Sequence, residues 1–303
     1  MINLSTGAFF ERSTQQIGVL RARAETLQSQ IGTGERIERS SDDPVAAARL
    51  RMLARSDRMA TVDTRNSQLA EADLKLADQS LSSIADLVIR ARELAVQGAA
   101  ATLSDEQRGA IGIEIKGLRE SLLSLANSRN IAGHALLGGQ ATGAAYTDDG
   151  VNAQFVGTQA VDALEIGEGQ SVVPGLTGPE VFDFAVDGTD TDLFAVLGSL
   201  AAALTSGGNA ASQASSDALA SLDAGLEKVS TAQTVVGSRL NWVDLMTERR
   251  ENNAERVADE RADVGGADIA VTMSRLQETL TVLEATQASF VRLSNLSLFS
   301  MLR

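Results

Sequence analysis

The sequence predicts a mainly α-helical protein with a β-rich insert: paired N- and C-terminal coiled-coil helices, an inner layer of long antiparallel helices, and a small outward α+β domain. Three observations carry that prediction. Apolar residues recur at heptad spacing near both chain ends, aromatic residues make up only 3% of a chain of 303 residues rich in Ala, Leu and Ser, and one glycine-rich middle segment changes to alternating patterning. The balance suits long helices with small interhelical contacts better than sheet-rich globules.

Phe10, Ile17, Ala24 and Ile31 repeat every seven residues, with Ser13, Leu20 and Leu27 in the intervening row. Near the other end Ile269, Met273, Leu276, Leu280, Leu283, Gln287 and Phe290 alternate steps of four and three. Each stripe alone is marginal in water, so the two are expected to pair and bring the termini to one place. The terminal helices are assigned to 1–40 and 266–303. Leu283→Asp is expected to abolish assembly through this seam while leaving the inner helical layer folded.

Inside these ends, Ser40-Ser41-Asp42-Asp43-Pro44 predicts a helix start, with Asp43 capping and Pro44 at the first helical position. That helix runs to about Gln97, roughly 80 Å at 1.5 Å per residue, with Ala77, Leu81, Ile84, Val88, Ala91 and Ala95 on its seam. Ser104 and Gln107 form a capping box for the next helix, whose row is Ile111, Ile115, Leu118, Leu122 and Leu125. The returning helix carries Leu222, Leu226, Val229, Val236, Leu240 and Val243, turns polar from Glu248 to Asp263, and stops at Gly265-Gly266. These segments, 41–137 and 209–265, form the predicted rod.

The insert spans 138–208. Tyr146 to Val156 reads as a hairpin turning at Asp149-Gly150, with Val151, Ala153 and Phe155 on one face; Ala163 to Val173 and Val181 to Val186 read as further strands. A helix from about Asp192 to Leu204 closes the segment. Because the insert adds nothing to a heptad seam, replacing Thr142 to Thr205 by a short linker is expected to be far milder for folding than the Leu283→Asp change. From Ala141 to Glu227 there are 13 acids and no Lys or Arg, so this segment holds most of the formal charge of −14. Such a surface repels phosphate, which argues against nucleic acid or anionic lipid as its partner.

The residues give no enzyme reading, and no cofactor or metal site. His134 is the sole histidine, so triads and histidine-based metal sites lack a second member. Asp187-Gly188-Thr189-Asp190-Thr191-Asp192 hints at calcium, but the glycine comes second and no closing Glu follows, so a turn and helix cap is expected instead. Gly138-Gly139 lacks the lysine of a phosphate loop. Trp242 and Tyr146 read as packing residues. No apolar run reaches the ~20 residues of a membrane span. The N-terminus Met-Ile-Asn-Leu-Ser-Thr shows no cleavable signal pattern.

Gln28-Ser29-Gln30-Ile31-Gly32-Thr33-Gly34-Glu35-Arg36-Ile37 followed by Ser40-Ser41-Asp42-Asp43-Pro44-Val45-Ala46-Ala47-Ala48 resembles the flagellin superfamily. Thr102-Leu103-Ser104-Asp105-Glu106-Gln107-Arg108, Gly117-Leu118-Arg119 and Leu125-Ala126-Asn127 continue the likeness. Ser41-Asp42-Asp43-Pro44 and Leu296-Ser297-Leu298-Phe299 are similar to the hook-associated protein 3 family, whereas the ending Met301-Leu302-Arg303 looks like filament flagellins.

The resemblance implies a structural subunit of the bacterial flagellum that joins hook to filament by self-assembly; the alternatives are a filament flagellin or a secreted surface adhesin. It implies an extracellular site in the flagellum, reached by type III export without a cleaved signal peptide. Its implied partners are hook-associated protein 1, flagellin, copies of itself, an export chaperone and the export apparatus. The residues expected to carry assembly are Phe10, Ile17, Leu20, Leu27, Ile31, Ile269, Met273, Leu276, Leu280, Leu283 and Phe290.

Overall fold

The computed structural model describes residues 3–150 and 152–301, with the side chains of 3–7, 9, 209 and 293–301 outside the description. Val151, the side chains of Leu296-Ser297-Leu298-Phe299 and of Ser300-Met301, and the final Leu302-Arg303 therefore lie outside the description. The element order is α1 (Asn3–Thr33), α2 (Pro44–Gly98), α3 (Asp105–Ala126), β1 (Tyr146–Asp148), β2 (Ala153–Phe155), β3 (Leu164–Gly167), β4 (Gln170–Val172), α4 (Gly178–Phe182), β5 (Asp183–Val186), β6 (Thr189–Asp192), α5 (Leu193–Ser206), α6 (Asn209–Gly265) and α7 (Ile269–Met301). The chain divides into two compact units, Met1–Arg58 with Asn252–Arg303, and Met59–Glu251.

Within the larger unit the α2 seam meets an antiparallel α6. Leu81, Ile84, Val88 and Ala91 of α2, and Leu222, Val229, Val236 and Val243 of α6, are fully buried in one core. Polar contacts set the direction: Arg92 pairs with Asp223, Gln233 donates to Ser82 at 3.2 Å, and the Ser212 hydroxyl donates to the Ala99 carbonyl at 2.9 Å. The predicted starts are seen. Ala46 N–H donates to Asp43 at 3.0 Å as α2 begins at Pro44, and Ser104 with Gln107 forms the capping box of α3. Buried Arg108 closes the other end of α2, donating to the carbonyls of Gly98 and Ala100.

The insert is three separate two-stranded antiparallel hairpins and two helices. Residues 181–186 depart from the sequence reading. The Glu180 carboxylate accepts from the Thr177 N–H at 2.7 Å and from its hydroxyl at 3.0 Å, with Pro179 in the first turn, and this starts the short helix α4, so Val181 and Phe182 are helical and only Asp183–Val186 is strand. Asp187 and Gly188 turn the β5–β6 hairpin with φ of 50° and 78°, the left-handed geometry of a two-residue turn. Asp192 then caps α5, accepting from Ala195 N–H at 2.8 Å.

Helix α5 overturns the expectation that the insert can be removed. Leu193, Phe194, Leu197, Leu200 and Leu204 are at most 1% exposed and share the core with Ile115 and Leu122 of α3. Gly112 allows this close approach, since a Cβ there would stand 2.8 Å from Thr205 and 3.0 Å from the Ala201 carbonyl. The insert is pinned along the long helices by side-chain donors aimed at its backbone oxygens. Arg239 bonds the Gly175 carbonyl, Arg250 bonds the Ile166 carbonyl, and Asn66 donates to the Glu165 carbonyl at 2.7 Å. With Gly225 packed against Leu193, the insert flanks α6 from Gly225 to Arg250, roughly 40 Å of helix axis.

At the join, Arg119 makes two bonds to Asp148, of 2.9 and 2.8 Å, and donates to the Phe194 carbonyl at 3.3 Å, tying β1, α3 and α5 together. Only 8% of the Arg119 and 16% of the Asp148 side chain is exposed. Tyr146 is the hub of an aromatic cluster with Phe155, Phe182 and Phe194 at centroid distances of 5.0 to 5.5 Å, so its packing role is observed. Trp242 also packs on the core.

Two outcomes follow for this unit. Asp148→Asn leaves the Arg119 charge buried without its counter-ion and should cost about 3 kcal/mol, read by urea unfolding at neutral pH. Arg119 holds the Asp148 carboxyl below its ordinary pKa. The stabilisation is therefore complete above the unfolded carboxylate pKa and is lost as pH falls through the lower folded value, so wild type and variant should converge on acidification. Deleting Thr142 to Thr205 removes several core side chains at about 2 to 5 kcal/mol each, enough to exceed a typical domain stability, so circular dichroism should show no cooperative melt.

Candidate assembly interface

The smaller unit brings the two ends of the chain together. Helices α1 and α7 run antiparallel, with the rings of Phe10 and Phe290 edge to face at 5.4 Å. The other end of the pair is closed by a backbone clasp. Arg36 N–H donates to the Gly265 carbonyl at 2.7 Å, Ala267 N–H donates to the Gly34 carbonyl at 2.9 Å, and Glu35 bridges Gly266. Gly34 makes this possible by ending α1 with φ of 71°. The Arg36 guanidinium donates to the Val264 carbonyl at 2.9 Å and to Asp43 at 3.3 Å, and Gln30 returns a bond to the Arg36 carbonyl. Periodicity does not reveal Arg36; its signal in the sequence is a cation two residues after a helix-ending Gly-Thr-Gly.

On α1 the structure places Phe10, Ile17, Leu20, Ala24, Leu27 and Ile31 on one face, with Ala24 and Leu27 buried and the others half-buried. On α7 the seam is displaced. Thr272 and Thr279 are 7% and 6% exposed, and Leu276, Leu283 and Phe290 are half-buried, whereas Ile269, Met273 and Leu280 are exposed. The correction is one residue in each heptad: the row beside Leu276 and Leu283 is Thr272 and Thr279, not Met273 and Leu280. Threonine can occupy it because its hydroxyl is satisfied within its own helix, as Thr279 donating to the Arg275 carbonyl at 2.7 Å shows. Steps of three and of four residues both keep a side chain near one helix face, so apolar content alone favours the wrong row.

The other sequence candidates have structural places. His134 is exposed in a tight loop, where its N–H donates to Asn130 at 3.0 Å. Asp187 to Asp192 forms the β5–β6 turn, strand and cap described above. Asp183, Asp190 and Asp192 face an open hollow of about 550 Å³, and burial, then Asp192, pushes the Asp183 carboxyl above its ordinary pKa. Among the described residues no three His, Asp or Glu side chains are grouped to hold a metal, and no helix is long and apolar enough to cross a membrane. In the polar run of α6, Glu260 pairs with Arg49.

Residues 6–142 match the model of the bacterial flagellin N-terminal helical region. Flagellar hook-associated protein 3 of Escherichia coli (strain K12) is 27% identical over 99% of both chains. This chain resembles the hook-associated protein 3 proteins of the flagellin superfamily. Flagellin of Listeria monocytogenes is 25% identical over 97% of this chain and 94% of its own. A solved structure from Vibrio parahaemolyticus, assigned to a flagellar hook-associated protein, superposes with a TM-score of 0.69 at 23% identity, covering 74% of this chain and all of that one. The helical flagellin-like fold with a small β insert is thus shared with hook-associated protein 3 structures.

Few residues of the α1–α7 seam are fully buried, so its helices draw little stabilisation from packing. Backbone amides of Phe10 to Ile31 should exchange with solvent faster than those of Leu81 to Ala95 in dilute monomer, read by hydrogen-exchange mass spectrometry.

Proposed function

We propose that the protein is a structural subunit of the flagellar axis that joins hook to filament, assembling through its paired terminal helices. The observation that carries this reading is the likeness to hook-associated protein 3 along 99% of both chains, together with a terminal pair that leaves apolar residues uncovered. Val19, Ile269, Val271, Met273, Leu280, Val282 and Val291 are 42% to 63% exposed on α1 and α7. A helix pair that hides threonine and shows isoleucine, methionine, leucine and valine to water is incomplete as a monomer.

In this reading the segments 1–40 and 266–303 form the inner tube, 41–137 and 209–265 the surrounding rod, and 138–208 the outer face. The residues Phe10, Ile17, Leu20, Leu27, Ile31, Leu276, Leu283 and Phe290 hold the pair closed, while Ile269, Met273 and Leu280 meet neighbouring subunits. Hook-associated protein 1 lies on one side, flagellin on the other, and copies of the chain complete the ring. The chain reaches this extracellular position through the type III export apparatus with an export chaperone, and it catalyses no reaction.

The flagellin reading is separated by growth. A junction subunit needs different neighbours at its two ends, so purified protein added to filament fragments should form no long homopolymer, and a null strain should keep hooks while shedding flagellin. Long homopolymers would promote the flagellin reading. Leu283→Asp places a charge in the seam at a half-buried position, where burial contributes less than the ~1.5 to 3 kcal/mol of a fully buried leucine, and should abolish incorporation at hook ends while urea unfolding of the Met59–Glu251 unit stays unchanged. Normal incorporation of this variant, seen by immunolabelling, would refute assembly through the terminal pair.

A further inference from the structure

We propose that Met52, Met59 and Met273 are oxidation sites of the unassembled subunit, and that their conversion to sulfoxide blocks incorporation without unfolding the protein. The effect on incorporation rests on the assembly reading above. Met52, Met59 and Met273 are 62%, 56% and 48% exposed, whereas Met246 is 6% exposed in the core of the larger unit. Each exposed methionine stands in an apolar row. On α2, Val45, Met52 and Met59 are spaced by one heptad, with Val45 81% exposed; on α7, Met273 lies between Ile269 and Leu280, which are 43% and 42% exposed.

Valine, leucine and isoleucine in such rows are inert to mild oxidants, but a thioether is not. The sulfur lone pair takes one oxygen from hydrogen peroxide, the O–O bond breaks, and the second oxygen leaves as water; sulfur loses two electrons and peroxide gains them. The product is a strongly polar group on a surface that must shed water when a neighbouring subunit covers it. In the free subunit the same group remains solvated, so the fold is unaffected. The row thus reports oxidation only at the step where it is to be buried, and Met246 serves as a protected control in the same chain.

The test treats the folded, full-length protein with dilute hydrogen peroxide, followed by peptide mass mapping, a thermal melt, and incorporation at hook ends. Expected are one added oxygen at Met52, Met59 and Met273, an unmodified Met246, an unchanged melt and loss of incorporation. The triple variant Met52→Leu, Met59→Leu, Met273→Leu should keep full incorporation after the same treatment. Incorporation of oxidised wild type at the untreated level would overturn the proposal, as would equal loss in the triple variant or a lowered melt of the oxidised protein. Failure of untreated wild type to incorporate would overturn the assembly reading, and this proposal with it, whatever the mass map shows.

Discussion

The antiparallel contact between α1 and α7 is the constraint on which the account depends, because it makes a chain that begins and ends at one place. Two features of different kind hold it. The seam supplies non-directional burial through Leu27, Ala24, Leu276, Leu283 and the Phe10–Phe290 pair. The clasp of Gly34 to Arg36 on Val264 to Ala267 supplies directional bonds that fix the register. A one-residue slip would break every bond of the clasp and move both phenylalanine rings out of contact, so a weak seam can still be a specific one.

Core packing and the residues proposed for assembly fall on different helices. In the larger unit the apolar rows of α2, α3, α5 and α6 close on each other, and arginines with neutral backbone partners pin the insert in place. That unit has a closed core of its own, although Ile113, Ile131 and Val62 among others remain exposed on its surface. On α7 the distribution is reversed, since threonines turn inward and larger apolar side chains outward. Such an arrangement is poor for an isolated helix pair and, on the function proposed above, suits one that neighbouring copies surround.

Much of the helical frame was legible from sequence because its signals are local and redundant. Pro44 behind Asp43, the Ser104–Gln107 box and Gly265-Gly266 each mark a boundary through the bonds of a few neighbouring residues. The α2 row from Ala77 to Ala95 is buried throughout because a long run averages over single exceptions. The α7 row was misjudged because the deciding fact is the partner: satisfied threonine hydroxyls can face α1, and no pattern within α7 records that. Helix α4 was hidden inside an apolar run that reads equally well as strand, and its Thr177–Glu180 pair was the overlooked cue. The depth of α5 in the core, and the arginine bonds from Arg239 and Arg250 to carbonyls some 60 to 80 positions away, depend on tertiary contacts that spacing cannot encode.

The most direct measurement of the central claim exploits a chain with no cysteine of its own. Phe10→Cys and Phe290→Cys, introduced together and joined by a short bis-maleimide that fills the space left by the two rings, should give an intramolecular cross-link seen as a faster-migrating monomer on denaturing gels, and the linked chain should still be incorporated at hook ends. The absence of any intramolecular link, or links formed only between separate chains, would contradict the pairing of the termini within one subunit.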